Sequence, residues 1–185
     1  MKSNIFKNKQ FLGILFAIIA FAAITLVYFS PILEGKRIKQ HDIEMYKGMS
    51  QEITEFREET GEQSLWTNSM FGGMPAWNIG VFQYSNLMNY INKILNVGFP
   101  HPIGSVFVSM LGFFILMMVL GANVWISFLG GLAYGFTSYL FIVIGAGHNS
   151  KAVAMAYMAP VIAGIIMTYK GKYLWHSKSE LVTSR

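Results

Sequence analysis

The sequence predicts an all-α integral membrane protein: four transmembrane helices, with an external loop of amphipathic juxtamembrane helices. Three observations lead there. Only 12% of the 185 residues are charged and 54% are hydrophobic, about half the charged share of an ordinary soluble domain. The mean hydropathy is +0.44. The apolar residues gather into four long runs, and the basic residues flank those runs instead of clustering on one helix or tail.

The first run, Phe11–Leu33, holds 23 residues without a charge. As a helix it would be about 34 Å long, enough to cross a hydrocarbon core of about 30 Å. Residues 1–10 carry Lys2, Lys7 and Lys9 and imitate the positive region of a signal peptide. The apolar stretch behind them is far longer than the roughly 7–15 residues of such a peptide, so an uncleaved first span is expected. The second span is read at 103–120 and the third at 124–146. Only Gly121-Ala-Asn123 joins them, which predicts a tight helical hairpin. An external turn, 147–151, leads to the fourth span at 152–169. Pro160 near its middle removes one backbone bond, so a kink is expected. Gly131 and Gly135 form a small-xxx-small pair, read as a packing device.

Orientation follows from the positive-inside rule. Lys2, Lys7 and Lys9 precede the first span, and Lys170, Lys172, Lys178 and Arg185 follow the fourth. Four spans return the chain to its starting side. Both termini, including a polar tail at 170–185, are therefore expected in the cytoplasm, with loop 34–102 and turn 147–151 outside. Loop 34–102 also carries seven of the eight Glu.

That loop is patterned. Ile43, Tyr46, Met49, Ile53 and Phe56 recur every three or four residues and predict a helix over about 43–59. Leu87, Ile91 and Ile94 predict a second over about 84–96. Such helices lie in the membrane interface with the apolar side down, or pack on each other over the spans. Between them, Gly72-Gly73 ahead of Met74-Pro75 predicts a tight turn. Trp66 and Trp77 suit either headgroup anchoring or stacking on a sugar ring. Thr67, Asn68 and Ser69 offer neutral hydrogen-bonding groups for a polar ligand.

Several function classes are excluded or disfavoured. No Cys is present, so thiolate chemistry and disulfides are out. His41, His101, His148 and His176 show no metal-ligand spacing. The scattered basic residues do not form a nucleic-acid surface, despite a net charge of +5. The span cores carry no Asp, Glu, Lys, Arg or His, which argues against a transport pathway.

Asp42, the one aspartate of the chain, stands just beyond the first span. It follows the basic stretch Glu34-Gly-Lys-Arg-Ile-Lys-Gln-His41. Read locally, Asp42 caps a helix that starts at Ile43, a contribution of about 0.5–2 kcal/mol.

Tyr28-Phe-Ser-Pro-Ile-Leu-Glu-Gly35, then Asp42 with Lys47-Gly-Met49, resembles the start of bacterial YfhO-like membrane proteins. Leu65-Trp-Thr-Asn-Ser-Met-Phe-Gly-Gly-Met-Pro75, Phe99-Pro-His-Pro102, Ala146-Gly-His-Asn-Ser-Lys151 and Ala156-Tyr-Met-Ala-Pro160 extend the resemblance over about residues 25–172. The form is similar to those of Bacteroidetes-type bacteria. The resemblance implies a GT-C-like N-terminal part of a glycosyltransferase in the bacterial inner membrane. Such an enzyme uses a polyprenyl-phosphate sugar as donor at the external face and a cell-envelope polymer as acceptor.

Under that resemblance Asp42 is the general base on the acceptor, or the ligand of a divalent metal ion; a carboxylate suits base work. His148, Asn149 and Lys151 share its side of the membrane and would stabilise the phosphate of the leaving group. The alternative for Lys151 is snorkelling to the headgroups. Trp66, Thr67, Asn68, Ser69, Gly72 and Gly73 are the candidate substrate-binding segment. Proteins of this kind are longer, so a truncated chain is expected, with the missing C-terminal spans on another chain as a partner beside membrane lipids. Two classes stand: the transferase or its N-terminal fragment, and a non-catalytic membrane remnant, scaffold or assembly partner.

Overall fold

A computed structural model of the chain describes residues 2–80, 86–96 and 98–183. Four helical segments are long and apolar enough to cross a membrane: Lys9–Tyr28, Ile103–Leu120, Val124–Ala146 and Asn149–Lys170. The remaining elements are short and lie mostly between the first two.

α1 (Lys2–Tyr28) ends earlier than the apolar run does, and α2 (Ser30–Leu33) carries the rest. Pro31 explains the break. It has no N–H to continue the ladder, and it sits in the first turn of α2, where that loss is harmless. The loop then forms α3 (His41–Met49) and α4 (Gln51–Thr60), a helix pair in place of one helix at 43–59. Ser50 is the joint: it ends α3 and starts α4. Strands β1 (Trp66–Thr67) and β2 (Met74–Pro75) pair antiparallel around the Gly72-Gly73 turn, and a 3₁₀ turn follows at Ala76–Asn78. α5 (Leu87–Leu95) begins on Asn86, whose side chain accepts from the Met88 N–H at 3.0 Å. Of the helix expected over 84–96, residues 84 and 85 lie outside the described residues.

α6 (Ile103–Leu120) is the hub of the bundle, with α9 (Asn149–Thr183) and α7 (Val124–Gly135) as its main neighbours. The α6–α7 hairpin has the predicted tightness. Gly121 takes a left-handed φ of 96° and closes α6, and the Asn123 side chain accepts from the Ile126 N–H at 2.9 Å to open α7.

The third span is not one helix. It breaks after α7 and resumes as α8 (Ser138–Ala146). Thr137 turns its hydroxyl onto the Tyr134 carbonyl, a local bond that competes with the helix ladder. Gly130, Gly131 and Gly135 weaken that ladder further. The break sets Phe136 parallel to Phe141 at 5.8 Å, with Tyr28 across it at 5.4 Å.

The helix of the fourth span continues through Thr183, so the polar tail expected at 170–185 is helical over 170–183. The Leu, Lys and Glu residues of 170–183 are good helix formers, and no proline falls among them.

The core includes Phe21 on α1, Val106, Met110 and Phe114 on α6, Leu140 and Val143 on α8, and Ala152 and Ala156 on α9. Phe21 stacks on Phe128 at 5.1 Å and meets Phe114 edge-on at 5.9 Å. The packing role of Gly131 is direct: a Cβ there would lie 2.7 Å from the Met110 carbonyl oxygen.

Two contacts mark the end of the bundle opposite the loop. Val124 packs 3.1 Å from where a Gly13 Cβ would stand, and Lys170 donates to the Val119 carbonyl at 2.6 Å. The ends of α1, α6, α8 and α9 that adjoin loop 34–102 and Gly147 share the other end.

Candidate functional site

At the loop end of the bundle, two distant segments meet. α8 stops at Gly147, whose φ of 105° is left-handed. The His148 N–H then donates back to the Val143 carbonyl at 3.1 Å, which turns the chain into α9. The first turn of α3 sits down on this corner. A Cβ on Gly147 would be 3.2 Å from the Asp42 Cβ and 3.3 Å from the Gln40 Cβ. Glycine therefore serves both the turn and the close approach.

The result is a carboxylate–imidazole pair. Asp42 Oδ2 lies 3.2 Å from His148 Nδ1, with the side chains 44% and 57% exposed respectively. The pair is open enough for a substrate to reach.

Asp42 is not the helix cap. α3 starts at His41 with Gln40 as its flanking residue, and Asp42 lies in the first turn. There its charge meets the positive end of the helix dipole.

Gln40 fastens this arrangement. Its side-chain amide donates to the Ile144 carbonyl at 2.6 Å and to Asn149 Oδ1 at 2.9 Å. Asn149 Nδ2 donates back to Gln40 Oε1 at 3.3 Å. Asn149 is thus engaged in holding the loop to α9, and it also hydrogen-bonds His101. His101 sits with Nδ1 3.3 Å from Ser105 Oγ. Partial burial lowers the His101 pKa below the usual imidazole value, while the Asn149 bond opposes that shift. Lys151 turns away from Asp42 towards α8: its ammonium donates to the Tyr139 hydroxyl and lies 5.0 Å from that ring's centroid.

The segment from Trp66 to Gly73 has its own internal order. Glu52 on α4 accepts from the Thr67 hydroxyl at 2.5 Å and from the Asn68 N–H at 2.9 Å. These bonds, Thr67 foremost, hold the Glu52 carboxyl below its ordinary pKa. Thr67 is buried, and Ser69 Oγ donates to the Met49 carbonyl at 3.2 Å. Thr67 and Ser69 therefore stitch the hairpin to α3 and α4. Trp66 packs its indole over Gly73, where a Cβ would lie 2.7 Å from Nε1. More than half of the Trp66 surface remains exposed, as does that of Trp77. No hydrogen bond or ion pair joins this segment to Asp42 or His148 among the described residues. Tyr46 forms the nearest bridge, packing on Gly80 and lining the cleft beside His148.

Two clefts share Ile43. One, of about 490 Å³, lies between Tyr46 and residues 147–151. The other, of about 590 Å³, is lined by Lys36, Arg37, Lys39, Lys47 and Glu44 together with His101. Sequence reasoning singled out neither Gln40 nor His101. The sequence does carry a signal for the cationic cleft: Lys36-Arg-Ile-Lys39 sets three cations shortly after the first apolar run.

The described residues build no complete cage for a divalent metal ion. Hard cations take about six oxygen ligands, and no group of three His, Asp or Glu side chains assembles among the described residues. The pair Asp42–His148 supplies one carboxylate and one imidazole.

No protein-family model, no curated protein and no solved structure matches this chain.

Proposed function

We propose that this chain is a membrane glycosyltransferase of the GT-C kind, or the N-terminal portion of one. It transfers a sugar from a polyprenyl-phosphate donor to a cell-envelope acceptor at the external face of a bacterial inner membrane. The observation that supports this reading best is the 3.2 Å contact of Asp42 with His148 at the mouth of an apolar helical bundle.

In the proposed reaction the acceptor hydroxyl oxygen attacks the anomeric carbon of the donor. Its proton passes to the Asp42 carboxylate, with His148 fixing the carboxylate's orientation. The bond from the anomeric carbon to the phosphate oxygen breaks, and the electron pair leaves with the polyprenyl phosphate. The charge developing there falls to His148 itself, to Asn149 and to Lys151, which lines the same cleft from its place on Tyr139. Trp66 and Trp77 keep exposed faces on which a sugar can stack. The basic residues around the start of the first span and after the fourth support a cytoplasmic position for both termini.

A second reading, a non-catalytic scaffold or assembly partner, draws on a different observation. Only 17% of the most apolar window of the first span is buried, which leaves a broad apolar face for lipid or for further spans. A transfer assay separates the two. Membranes containing the chain are given labelled polyprenyl-phosphate sugars and envelope acceptors, beside Asp42→Asn. Transfer that disappears in Asp42→Asn while the variant still inserts supports the enzyme. Transfer that persists undiminished removes Asp42 from the reaction, and no transfer by either form supports the scaffold.

A further inference from the structure

The cleft of about 590 Å³ between α2, α3 and residues 101–102 has an unbalanced charge. Four cations line it, Lys36, Arg37, Lys39 and Lys47, against the single carboxylate of Glu44. Lys36 pairs with Glu34 at 3.0 Å and Lys47 with Glu44 at 3.4 Å. Arg37 and Lys39 make no ion pair among the described residues, and both are exposed.

Another part of the lining is of the opposite character. Ile32, Ile43 and Pro102 present apolar surface to the cleft. Ile32 belongs to the end of the first apolar run, and Pro102 directly precedes the second span. The cleft therefore opens where two spans leave the hydrocarbon, at the height of lipid headgroups. A ligand fitted to it carries concentrated negative charge above and an apolar body below. Arg37 favours a phosphate, because a guanidinium donates two parallel hydrogen bonds to its oxygens and Lys39 adds a point charge.

We propose that this cleft binds the phosphate of an anionic phospholipid headgroup, held by Arg37 and Lys39, with the lipid's glycerol end against Ile32 and Pro102. The bound lipid would fix the segment between α2 and α3, and with it the position of Gln40 and Asp42. The assignment needs the four-span bundle and is independent of the transfer reaction.

The test titrates phosphatidylglycerol and phosphatidylcholine against the full chain in neutral detergent, with bound lipid counted by native mass spectrometry. The expected result is binding of phosphatidylglycerol about tenfold tighter or more, since charged contacts to phosphate are the strong ones. That preference should vanish in R37Q/K39Q and survive in K9Q/K170Q, which removes the same charge at the opposite end. Equal binding of the two lipids, or a preference that survives R37Q/K39Q, overturns the proposal. Inorganic phosphate in equimolar competition should leave the lipid bound; full displacement would assign the cleft to free phosphate and overturn the lipid. Both substituted residues are exposed, so the double variant should fold normally, which its helical circular dichroism would verify.

Discussion

Gln40 and Asn149 exchange side-chain amide hydrogen bonds of 2.9 and 3.3 Å, and this exchange ties loop 34–102 to the start of the fourth span. The tie lies two residues from Asp42 and one from His148, so it governs whether those two can meet. Gln40→Ala also removes the shorter of two hydrogen bonds to the Ile144 carbonyl, which keeps only the Gly147 N–H at 3.2 Å. It should lower stability by about 1–3 kcal/mol, read as a lower midpoint of thermal unfolding in detergent. Asn149→Ala should cost less, because it leaves the Ile144 bond in place. The double variant should cost less than the two single variants added together, as expected for residues in one network. Strict additivity would show that the exchange contributes nothing.

Gly147 bears two constraints that no other residue meets. Its φ of 105° disfavours any Cβ, and a Cβ would press on Asp42, Gln40 and Ile43 at 3.2–3.3 Å. Gly147→Ala should therefore cost about 1–3 kcal/mol and push α3 off the end of α8. Protease cleavage between Gly35 and His41 should accelerate in the variant. Gly145→Ala makes a fair comparison, because nothing lies within 4 Å of its added Cβ. If both variants digest alike, the corner does not hold the loop.

How far the sequence reveals this arrangement depends on the range of the interaction. The spans are legible because each is a local property: a charge-free run long enough to cross a bilayer. The Gly121–Asn123 turn is legible for the same reason, since both caps act within four residues. Asp42 and His148 were each visible as candidates on one side of the membrane, but their contact was not. It depends on α3 landing on Gly147, and no periodicity encodes that landing. Thr67 shows the converse. A threonine between two Trp-bearing turns looks free for ligand, and only the tertiary approach of Glu52 reveals that its hydroxyl is engaged. The break at Phe136 escaped for a third reason: Thr137 and the glycines before it weaken a helix without forbidding one.

His101 predicts an acid-sensitive term in stability. Its folded pKa lies below the ordinary 6.5 through partial burial, so between the two values the unfolded chain binds more protons than the folded one. Stability then rises with pH across that window. The contribution is fully present above about 6.5 and declines as pH falls towards the lowered folded value. His101 is exposed as a residue, which limits the size of the effect. Carboxylates such as Glu52 also destabilise the fold on acidification, so the comparison must be with a variant. The unfolding midpoint should drop further in the wild type than in His101→Gln between about pH 7.5 and pH 5.5. Parallel curves would remove His101 as the source.

The α6–α9 interface makes a last prediction, since it turns on one missing side chain. Gly112 leaves a notch in α6 that the Pro160 ring occupies: a Cβ on Gly112 would stand 2.5 Å from Pro160 Cδ and 3.4 Å from the Ala156 carbonyl oxygen. Close-packed helices cannot absorb that overlap without shifting, so Gly112→Ala should cost about 1–3 kcal/mol. Pro160→Ala removes the ring atom that collides and restores an N–H to the helix ladder. In the Pro160→Ala background, Gly112→Ala should therefore cost much less, with only the ordinary 3.4 Å contact left. The measurement is thermal unfolding of the two single variants and the double variant in one detergent. If Gly112→Ala costs as much with alanine at position 160 as with proline, the notch is not what joins α6 to α9. The packing would then have to be sought in the small-residue face of Ala152, Ala156, Ala159 and Ala163, all of them buried.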